Sequence, residues 1–398
     1  MDPKSHEPAA QNGRAVVSPK GADRWEAGHP WIYRSDVVER PAAAAGAVPV
    51  SSHRGTRLGW ALWSPRSEIA LRLLDREAGA TIDAAWWQRR IGEAIARRDA
   101  LANRTGAYRV VHGEADACPS LICDRYGDYL VVQLLSAGLE SFRDEIVAGL
   151  LHHLQPRGIL ARNDVSVRAK EGLSQGVELL HGEVPREVEV REGAVRYLAA
   201  PWDGQKTGAF LDQRENRELV AAISRGEALD CFSYHGSFAL HLAGMARRVT
   251  AVDASAAALA RARQNAGLNG FDNIDTVEAD VFGFLRERDA EERRYDTIVI
   301  DPPAFAKTKS AVPAALRGYR EINVRGMRLL ARGGMLFTAS CSFHLSRELF
   351  FRMLADAAAD AHRPLALRAI TGQPRDHPEI LTIPESGYLK GALVQALD

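Results

Sequence analysis

Thr297-Ile298-Val299-Ile300-Asp301-Pro302-Pro303 is the stretch that decides the fold. Its first four residues are all β-branched, which suits a strand covered on both faces, as in a parallel sheet. An acid and two prolines follow. Each proline fixes φ at about −65° and removes a backbone donor, so the chain leaves the sheet as a rigid, outward-facing loop.

The same rhythm extends to both sides. Strand-like runs lie at 228–232, 248–252 and 274–279 before it and at 335–339 after it, with helical patterns between, as over 255–268. Repeated strand–helix units predict an α/β, Rossmann-like doubly wound sheet. A helix near 347–361 precedes two closing strands, about 365–371 and 389–396. Read as an antiparallel hairpin with a short connection at the sheet edge, they complete seven strands. This domain is expected over 201–398.

Upstream the pattern changes. From about Arg14 to Asp75, short apolar stretches such as 57–63 and 69–74 are separated by the turn residues Gly46, Gly55 and Ser64-Pro65. That predicts a small β-barrel over 15–75, although the run around Val48 shows no clean strand. A helix is expected over about 83–103, where Trp86, Ile91, Ala94 and Ile95 recur at helical spacing. Strand-like runs at 108–112, 121–124 and 129–135 and a helix at 139–154 make a small α/β domain over 76–200. The polar residues 1–14 are read as a disordered tail.

At 398 residues the chain exceeds one ordinary core, which agrees with this division. The 51 basic residues equal the 51 acidic ones, so net charge lends no support to nucleic-acid binding and leaves only a local basic face open. No apolar run approaches the roughly 20 residues of a membrane helix. No signal-peptide core is present, which points to the cytoplasm. Cys118 and Cys123 lack the partners of a zinc site and are read as buried thiols.

In open α/β sheets, ligands bind beyond the carboxyl ends of the strands. The first strand here runs into Asp230-Cys231-Phe232-Ser233-Tyr234-His235-Gly236, making Asp230, Tyr234 and Gly236 candidate cofactor contacts. A dinucleotide fingerprint needs three glycines for the approach of a pyrophosphate. One glycine suits a ligand without phosphates, such as S-adenosylmethionine. The second strand ends at Asp253, whose carboxylate can accept both hydroxyls of a ribose, though Asp253 or Ser255 also suits a helix N-cap. The third runs into Glu278-Ala279-Asp280-Val281. There Asp280 can accept from the amine of an adenine covered by Val281, or serve equally as an N-cap.

The fourth strand's Asp301, Pro302 and Pro303 stand where base-modifying methyltransferases hold the target nucleobase. The fifth ends in Ser340-Cys341-Ser342 and brings a thiol to the same rim. A lone cysteine is more often a small core residue. Beside the Pro-Pro loop, Cys341 is read as a nucleophile.

An ordered set of short runs now resembles the ribosomal RNA large subunit methyltransferase I family, from about Val16 to the end. It comprises Gly28-His29-Pro30-Trp31-Ile32-Tyr33, Val111-His112-Gly113-Glu114-Ala115-Asp116, Asp124-Arg125-Tyr126-Gly127-Asp128, Gly204-Gln205-Lys206-Thr207-Gly208 and Leu211-Asp212-Gln213-Arg214-Glu215-Asn216. It continues through Asp301-Pro302-Pro303-Ala304-Phe305-Ala306-Lys307, Arg317-Gly318-Tyr319, Ser340-Cys341-Ser342, Pro384-Glu385 and Tyr388-Leu389-Lys390-Gly391. The resemblance implies a PUA-type RNA-binding barrel, a small α/β domain and a class I methyltransferase domain. It implies S-adenosylmethionine as cofactor and 5-methylcytosine in large-subunit rRNA as product. Phe210, Asp212 and Gln213 should line the cofactor pocket with Asp253 and Asp280. The family's Thr-Gly-Gly reads His235-Gly236-Ser237 here, and His235 is taken as a surface variant rather than an extra cofactor contact.

On this reading Cys341 adds to the base as a thiolate while Asp301 hydrogen-bonds the protonated ring nitrogen. Ala304 stands near where many RNA cytosine-5 methyltransferases carry a second cysteine, so this is a one-cysteine design. Arg24, Arg34, Arg54, Arg57 and Arg66 are candidate phosphate contacts. The partner is RNA; neither metal nor membrane is expected, and a homodimer is left open. The rival readings are methylation of a base nitrogen, an NAD-dependent oxidoreductase and a non-catalytic RNA-binding assembly factor. The thiol, the sparse glycines and the intact rim count against them in turn.

Overall fold

The computed structural model describes residues 13–398, so most of the tail expected over 1–14 lies outside the described residues. The chain divides into two units. The first runs to Val188 and includes Ala199–Ala209 and Ile380–Ile383. The second holds Glu189–Leu198, Phe210–Glu379 and Pro384–Asp398.

The first unit opens with β1 (Ala15–Val17), α1 (Pro19–Glu26), β2 (Trp31–Tyr33), β3 (Val37–Glu39), β4 (Gly46–Ser52), β5 (Arg57–Trp63) and β6 (Ile69–Asp75). These strands form one sheet in the order β2-β6-β5-β4-β1-β3, antiparallel except for β1 beside β4. Strand β4 is the one that the run around Val48 did not show cleanly. Pro49 interrupts its pattern, yet Val48 and Val50 pair with Ala61 and Gly59 of β5 and are fully buried. Gly59 itself has φ +132°, and a Cβ there would lie 2.1 Å from Asp75 O, so the approach of β5 to β6 requires glycine.

Helix α2 (Ala84–Ala96) starts where Asp83 caps Trp86 N. The helix expected over 83–103 breaks after it and resumes as α3 (Asp99–Ala102). Arg98 turns inward there and forms a buried two-pronged pair with Asp116, at 2.5 and 2.7 Å. Losing such a pair costs about 3–5 kcal/mol, more than the helix propensity of the few residues involved.

The unit is completed by β7 (Ala107–His112), β8 (Leu121–Tyr126), β9 (Tyr129–Leu134), α4 (Ala137–Glu140), α5 (Arg143–Leu154), β10 (Gly158–Arg162), α6 (Ser166–Glu171) and β11 (Val177–Gly182). Their sheet order is β11-β10-β9-β8-β7. Buried Asp124 accepts two hydrogen bonds from Arg109, at 2.8 and 2.9 Å, and one from Thr207 Oγ1 at 2.6 Å. Tyr126 Oη lies 2.9 Å from the same hydroxyl and accepts from Ala209 N. The Asp124-Arg125-Tyr126 and Lys206-Thr207-Gly208 runs therefore hold one another in place.

The second unit includes most of a hairpin, β12 (Val188–Glu192) and β13 (Val195–Ala199). Then follow α7 (Arg214–Ile223), β14 (Glu227–Cys231), α8 (Ser237–Ala243), β15 (Arg248–Asp253), α9 (Ala256–Leu268), β16 (Ile274–Glu278), α10 (Val281–Ala290), β17 (Tyr295–Ile300), α11 (Val312–Arg328), β18 (Leu330–Ser340), α12 (Arg347–Ala361), β19 (Leu365–Thr371) and β20 (Lys390–Ala396). The seven-stranded order is β16-β15-β14-β17-β18-β20-β19. The first five strands are parallel and β20 is antiparallel to both neighbours. The closing strands are thus antiparallel as expected, but β20 lies between β18 and β19. Their connection, residues 372–389, is no short turn.

Side chains alternate across this sheet. Ile298 and Ile300 pack with Leu285, Tyr319 and Phe350, whereas Val299 packs with Val220, Phe238 and Phe337. Strand order reverses between β14 and β17, and the crevice for a ligand opens at their carboxyl ends. Cys231 pairs with Val252 and Ile300, and Ile300 with Thr338, so the loops leave the sheet at one level.

Candidate cofactor and nucleobase site

The loop after β14 carries the strain. Phe232, Tyr234 and Gly236 have φ of 63°, 50° and 81°. For a bulky residue this conformation costs on the order of 1–3 kcal/mol and needs surrounding contacts to hold it. They are present: Ser233 N donates to Val252 O, Gly236 N to Ser233 O, and Tyr234 N to Asp253 Oδ2 at 2.9 Å. The ring of Phe210 meets that of Tyr234 edge-on, with centroids 5.4 Å apart. At Gly236 a Cβ would come within 2.9 Å of the Ala262 Cβ, so α8 starts on a glycine.

The capping alternatives divide. Ser255 is the N-cap of α9, and Asp253 instead accepts from Ser255 N and Tyr234 N, fixing the loop in front of it. Asp280 does cap α10, accepting from Gly283 N at 2.8 Å, and Val281 behind it is buried in the core. Asp230 is only 1% exposed. Its Oδ2 accepts from Ala239 N, while its Oδ1 meets no hydrogen-bond donor among the described residues. Burial, together with the nearby Asp301 and Asp253 carboxylates, pushes its carboxyl well above the usual carboxylate range.

The Asp-Pro-Pro loop is braced from two directions. Gln213 Nε2 donates to Asp301 Oδ1 at 2.9 Å, and Asn216 Nδ2 donates to Gln213 Oε1 at 2.6 Å. Pro302 is buried and Pro303 exposed. Farther along the loop, Ala306 N donates to Ser342 Oγ at 3.1 Å, and Tyr319 Oη lies 2.9 Å from the same hydroxyl. Ser342 thereby fastens the loop to the turn that carries Cys341, which is half-buried, while Cys118, Cys123 and Cys231 are buried. Asp212, also expected in the cofactor pocket, accepts from Tyr388 Oη at 2.8 Å.

Residues 15–76 match the family described as PUA-like domain, and residues 164–380 the family described as S-adenosylmethionine-dependent methyltransferase. Proteins named ribosomal RNA large subunit methyltransferase I are similar along nearly their whole length. That of Aeromonas salmonicida is 41% identical over 378 residues, 92% of this chain and 95% of its own. That of Shewanella frigidimarina is 41% identical over 392 residues, 96% of this chain and 99% of its own. The chain belongs to this family.

Family membership makes it an S-adenosylmethionine-dependent methyltransferase with a PUA-like N-terminal domain. A Streptococcus mutans protein described as a SAM-dependent methyltransferase has the same fold, with a TM-score of 0.81 at 22% identity over 96% of this chain and all of that one. A methyltransferase solved in complex with SAH gives 0.82 at 22% identity, with the same coverage. The residues here fit the cofactor. A buried carboxylate with an unmatched oxygen at Asp230 suits a ligand carrying positive charge, and Asp253 and Asp280 stand at the next two strand ends.

His235 departs from expectation. It is 5% exposed rather than at the surface, and its ring stacks on Tyr197 of β13. Burial, with Arg217 in support, depresses its imidazole to about 4, so it packs as a neutral ring. The hairpin supplying Tyr197 has no counterpart among the expected elements. Nor does its tie to α7, in which Arg217 binds buried Glu192 at 2.6 and 2.7 Å. Alternation over 188–192 was the available signal. Two of the five candidate phosphate contacts are hydrogen-bonded internally, and the guanidinium of a third, Arg57, lies over the Trp60 ring, 5.5 Å from its centroid. Arg24 pairs with Asp36, and Arg34 donates to the carbonyls of Arg66 and Ser67.

Among the described residues, no helix is long and apolar enough to cross a membrane. None of their His, Cys, Asp and Glu side chains group in threes that could hold a metal ion. A cleft of about 510 Å³ at the start of β18 is lined by Arg294, Arg328, Arg332 and Arg363 among others, and contains none of the candidate residues.

Proposed function

We propose that the protein methylates carbon 5 of a cytosine in large-subunit rRNA, in the cytoplasm, through a covalent Cys341 adduct. The observation that carries this is the Ser342 clamp joining the Asp301-Pro302-Pro303 loop to the Cys341 turn. The names of the relatives support rRNA as the substrate.

Carbon 5 of cytosine is a poor nucleophile. Addition of the Cys341 thiolate to carbon 6 makes carbon 5 an enamine carbon able to attack an electrophilic methyl group. Asp301, steadied by Gln213, hydrogen-bonds the protonated ring nitrogen and offsets the charge that moves into the ring. Pro302 and Pro303 shape the floor beneath a base that has left its stack. Asp230, Asp253 and Asp280, with Phe210, Asp212, Gln213, Tyr234, Gly236 and Val281, hold S-adenosylmethionine, which supplies the methyl group when bound. A base then takes the carbon-5 proton, the electron pair restores the 5,6 double bond, and the C6–S bond breaks to release the Cys341 thiolate. Residues 15–75 contribute RNA affinity, 76–200 form a central α/β domain, and 201–398 carry the chemistry.

The test is methylation of unmodified large-subunit rRNA followed by nucleoside mass spectrometry. New 5-methylcytidine is the expected product. A methyl group on a guanine nitrogen or an exocyclic amine would overturn the assignment.

A further inference from the structure

Lys390 is an amine where the fold gives little reason for one. It begins β20, a strand flanked on both sides, and is only 3% exposed. Burying an ammonium is unfavourable unless it is paired and hydrogen-bonded. Lys390 Nζ donates to Ser342 O at 2.7 Å and to Tyr388 O at 2.8 Å. The first carbonyl belongs to the residue after Cys341, and Ser340, just before Cys341, pairs with Lys390 across β18 and β20. The lysine therefore grips both sides of the cysteine.

We propose that Lys390 is a positioning residue for Cys341, holding the turn that presents the sulfur and stabilising its thiolate by the positive charge fixed beside it. This rests on the reading of Cys341 as the nucleophile. The step is a simple ionisation: the S–H bond breaks, the proton passes to solvent, and the electron pair stays on Sγ next to the ammonium. A neighbouring cation is an established way to lower a thiol pKa.

The charged neighbours agree. Burial lowers the Lys390 ammonium to about 8; the Cys341 side chain acts to raise it and Arg347 to lower it further. At neutral pH most of the lysine is therefore charged. Arg347, at the start of α12, pairs with Glu379 at 3.7 Å. Tyr319 of α11 reaches the turn through Ser342, and burial pushes its phenol up, so it stays neutral. Methionine in place of Lys390 would keep the side chain's bulk and lose the charge; arginine would keep the charge.

The experiment is the rate of alkylation of Cys341 by iodoacetamide against pH, read by mass spectrometry in the full chain. Burial raises the Cys118, Cys123 and Cys231 thiols, so they react slowly. In the native protein the midpoint should fall below the ordinary thiol value of about 8.5. Lys390→Met should raise it by about one pH unit, a loss of about tenfold in rate at neutral pH, and Lys390→Arg should recover part of that. A native midpoint at or above the ordinary value, or coincident native and Lys390→Met profiles, would overturn the proposal. Should Lys390→Met fail to fold, the native and Lys390→Arg profiles still decide. Retained methyl transfer by Cys341→Ala would instead sink the nucleophile reading, a separate result.

Discussion

Gln213 Nε2 and Asp301 Oδ1 lie 2.9 Å apart, a hydrogen bond between residues 88 positions apart in the chain. Gln213 in turn accepts from Asn216, so the acid of the Asp-Pro-Pro loop is set by a residue just ahead of α7. A hydrogen bond to a charged group contributes about 1.5–3 kcal/mol. Gln213→Ala should therefore lower kcat/KM for methyl transfer by about ten- to a hundredfold. Gln213→Glu should do worse, because it sets one carboxylate against another. Steady-state assays in which both variants match the native enzyme would remove Gln213 from the machinery.

Arg214 and Asp376 form a buried two-pronged pair at 2.6 and 3.0 Å. Burial alone would raise the Asp376 carboxyl, but His377 and Arg214 outweigh it and hold the group far below the carboxylate range. The sign follows from linkage. A carboxyl depressed on folding contributes its full stability above its unfolded pKa of about 4, and loses it as pH falls toward the folded value. Urea unfolding of the native protein should show stability falling below pH 4, and Asp376→Asn should flatten that slope. Arg214→Met should cost about 3–5 kcal/mol at neutral pH, because it strands a buried charge. A cost under 1 kcal/mol, about the worth of a surface pair, would show that the site relaxes freely.

Asp253 fixes the strained loop through Tyr234 N and is proposed to hold the ribose of the cofactor. Asp253→Ala should weaken S-adenosylmethionine binding by about 1.5–3 kcal/mol in calorimetry. Unchanged affinity would strike it from the cofactor site.

Arg54 and Arg57 are exposed, unlike Arg24 and Arg34, whose guanidinium groups are taken up within the unit. Removing one arginine that neutralises a phosphate should reduce the slope of log affinity against log salt by about one. The double variant Arg54→Ala/Arg57→Ala should thus bind rRNA with a slope lower by about two, and bind cofactor normally. Parallel salt titrations of native and variant protein would show that these arginines do not touch the backbone.

The sheet was legible because its central strands carry apolar runs, such as Ile298-Val299-Ile300, and end in distinctive residues; Thr297 to Pro303 alone implies a buried strand and a rigid exit. The candidate residues at the strand ends stood out for the same reason. Its bracing was not. Nothing in local pattern says that Gln213 meets Asp301, that Arg217 meets Glu192, or that Lys390 reaches across to Ser342, since each bond joins distant parts of the chain. His235 shows the opposite failure. A histidine in a loop looks like a surface residue until a hairpin, signalled only by the short alternation over 188–192, brings Tyr197 beneath it. Likewise the 83–103 helix has continuous helical pattern, but a buried pair with Asp116 breaks it at Arg98.

Cys341 carries the sharpest test. It is the half-buried cysteine, its turn is fastened to the Asp-Pro-Pro loop, and the thiols of the other three are raised by burial. Cys341→Ala should abolish methylation and leave S-adenosylmethionine binding intact, because the lost thiol acts on the base. RNA carrying 5-fluorocytosine at the target should trap the native enzyme as an adduct that survives a denaturing gel. Fluorine cannot leave as a cation, so elimination stalls after methyl transfer. Cys341→Ala should give no adduct. In a two-cysteine enzyme, loss of the releasing thiol would accumulate adduct on natural RNA. Here Ala304 occupies that neighbourhood, and none of Cys118→Ala, Cys123→Ala or Cys231→Ala should do so. Substantial methylation by Cys341→Ala would defeat the covalent mechanism and turn the assignment to a base nitrogen, where the Asp-Pro-Pro loop works without a thiol.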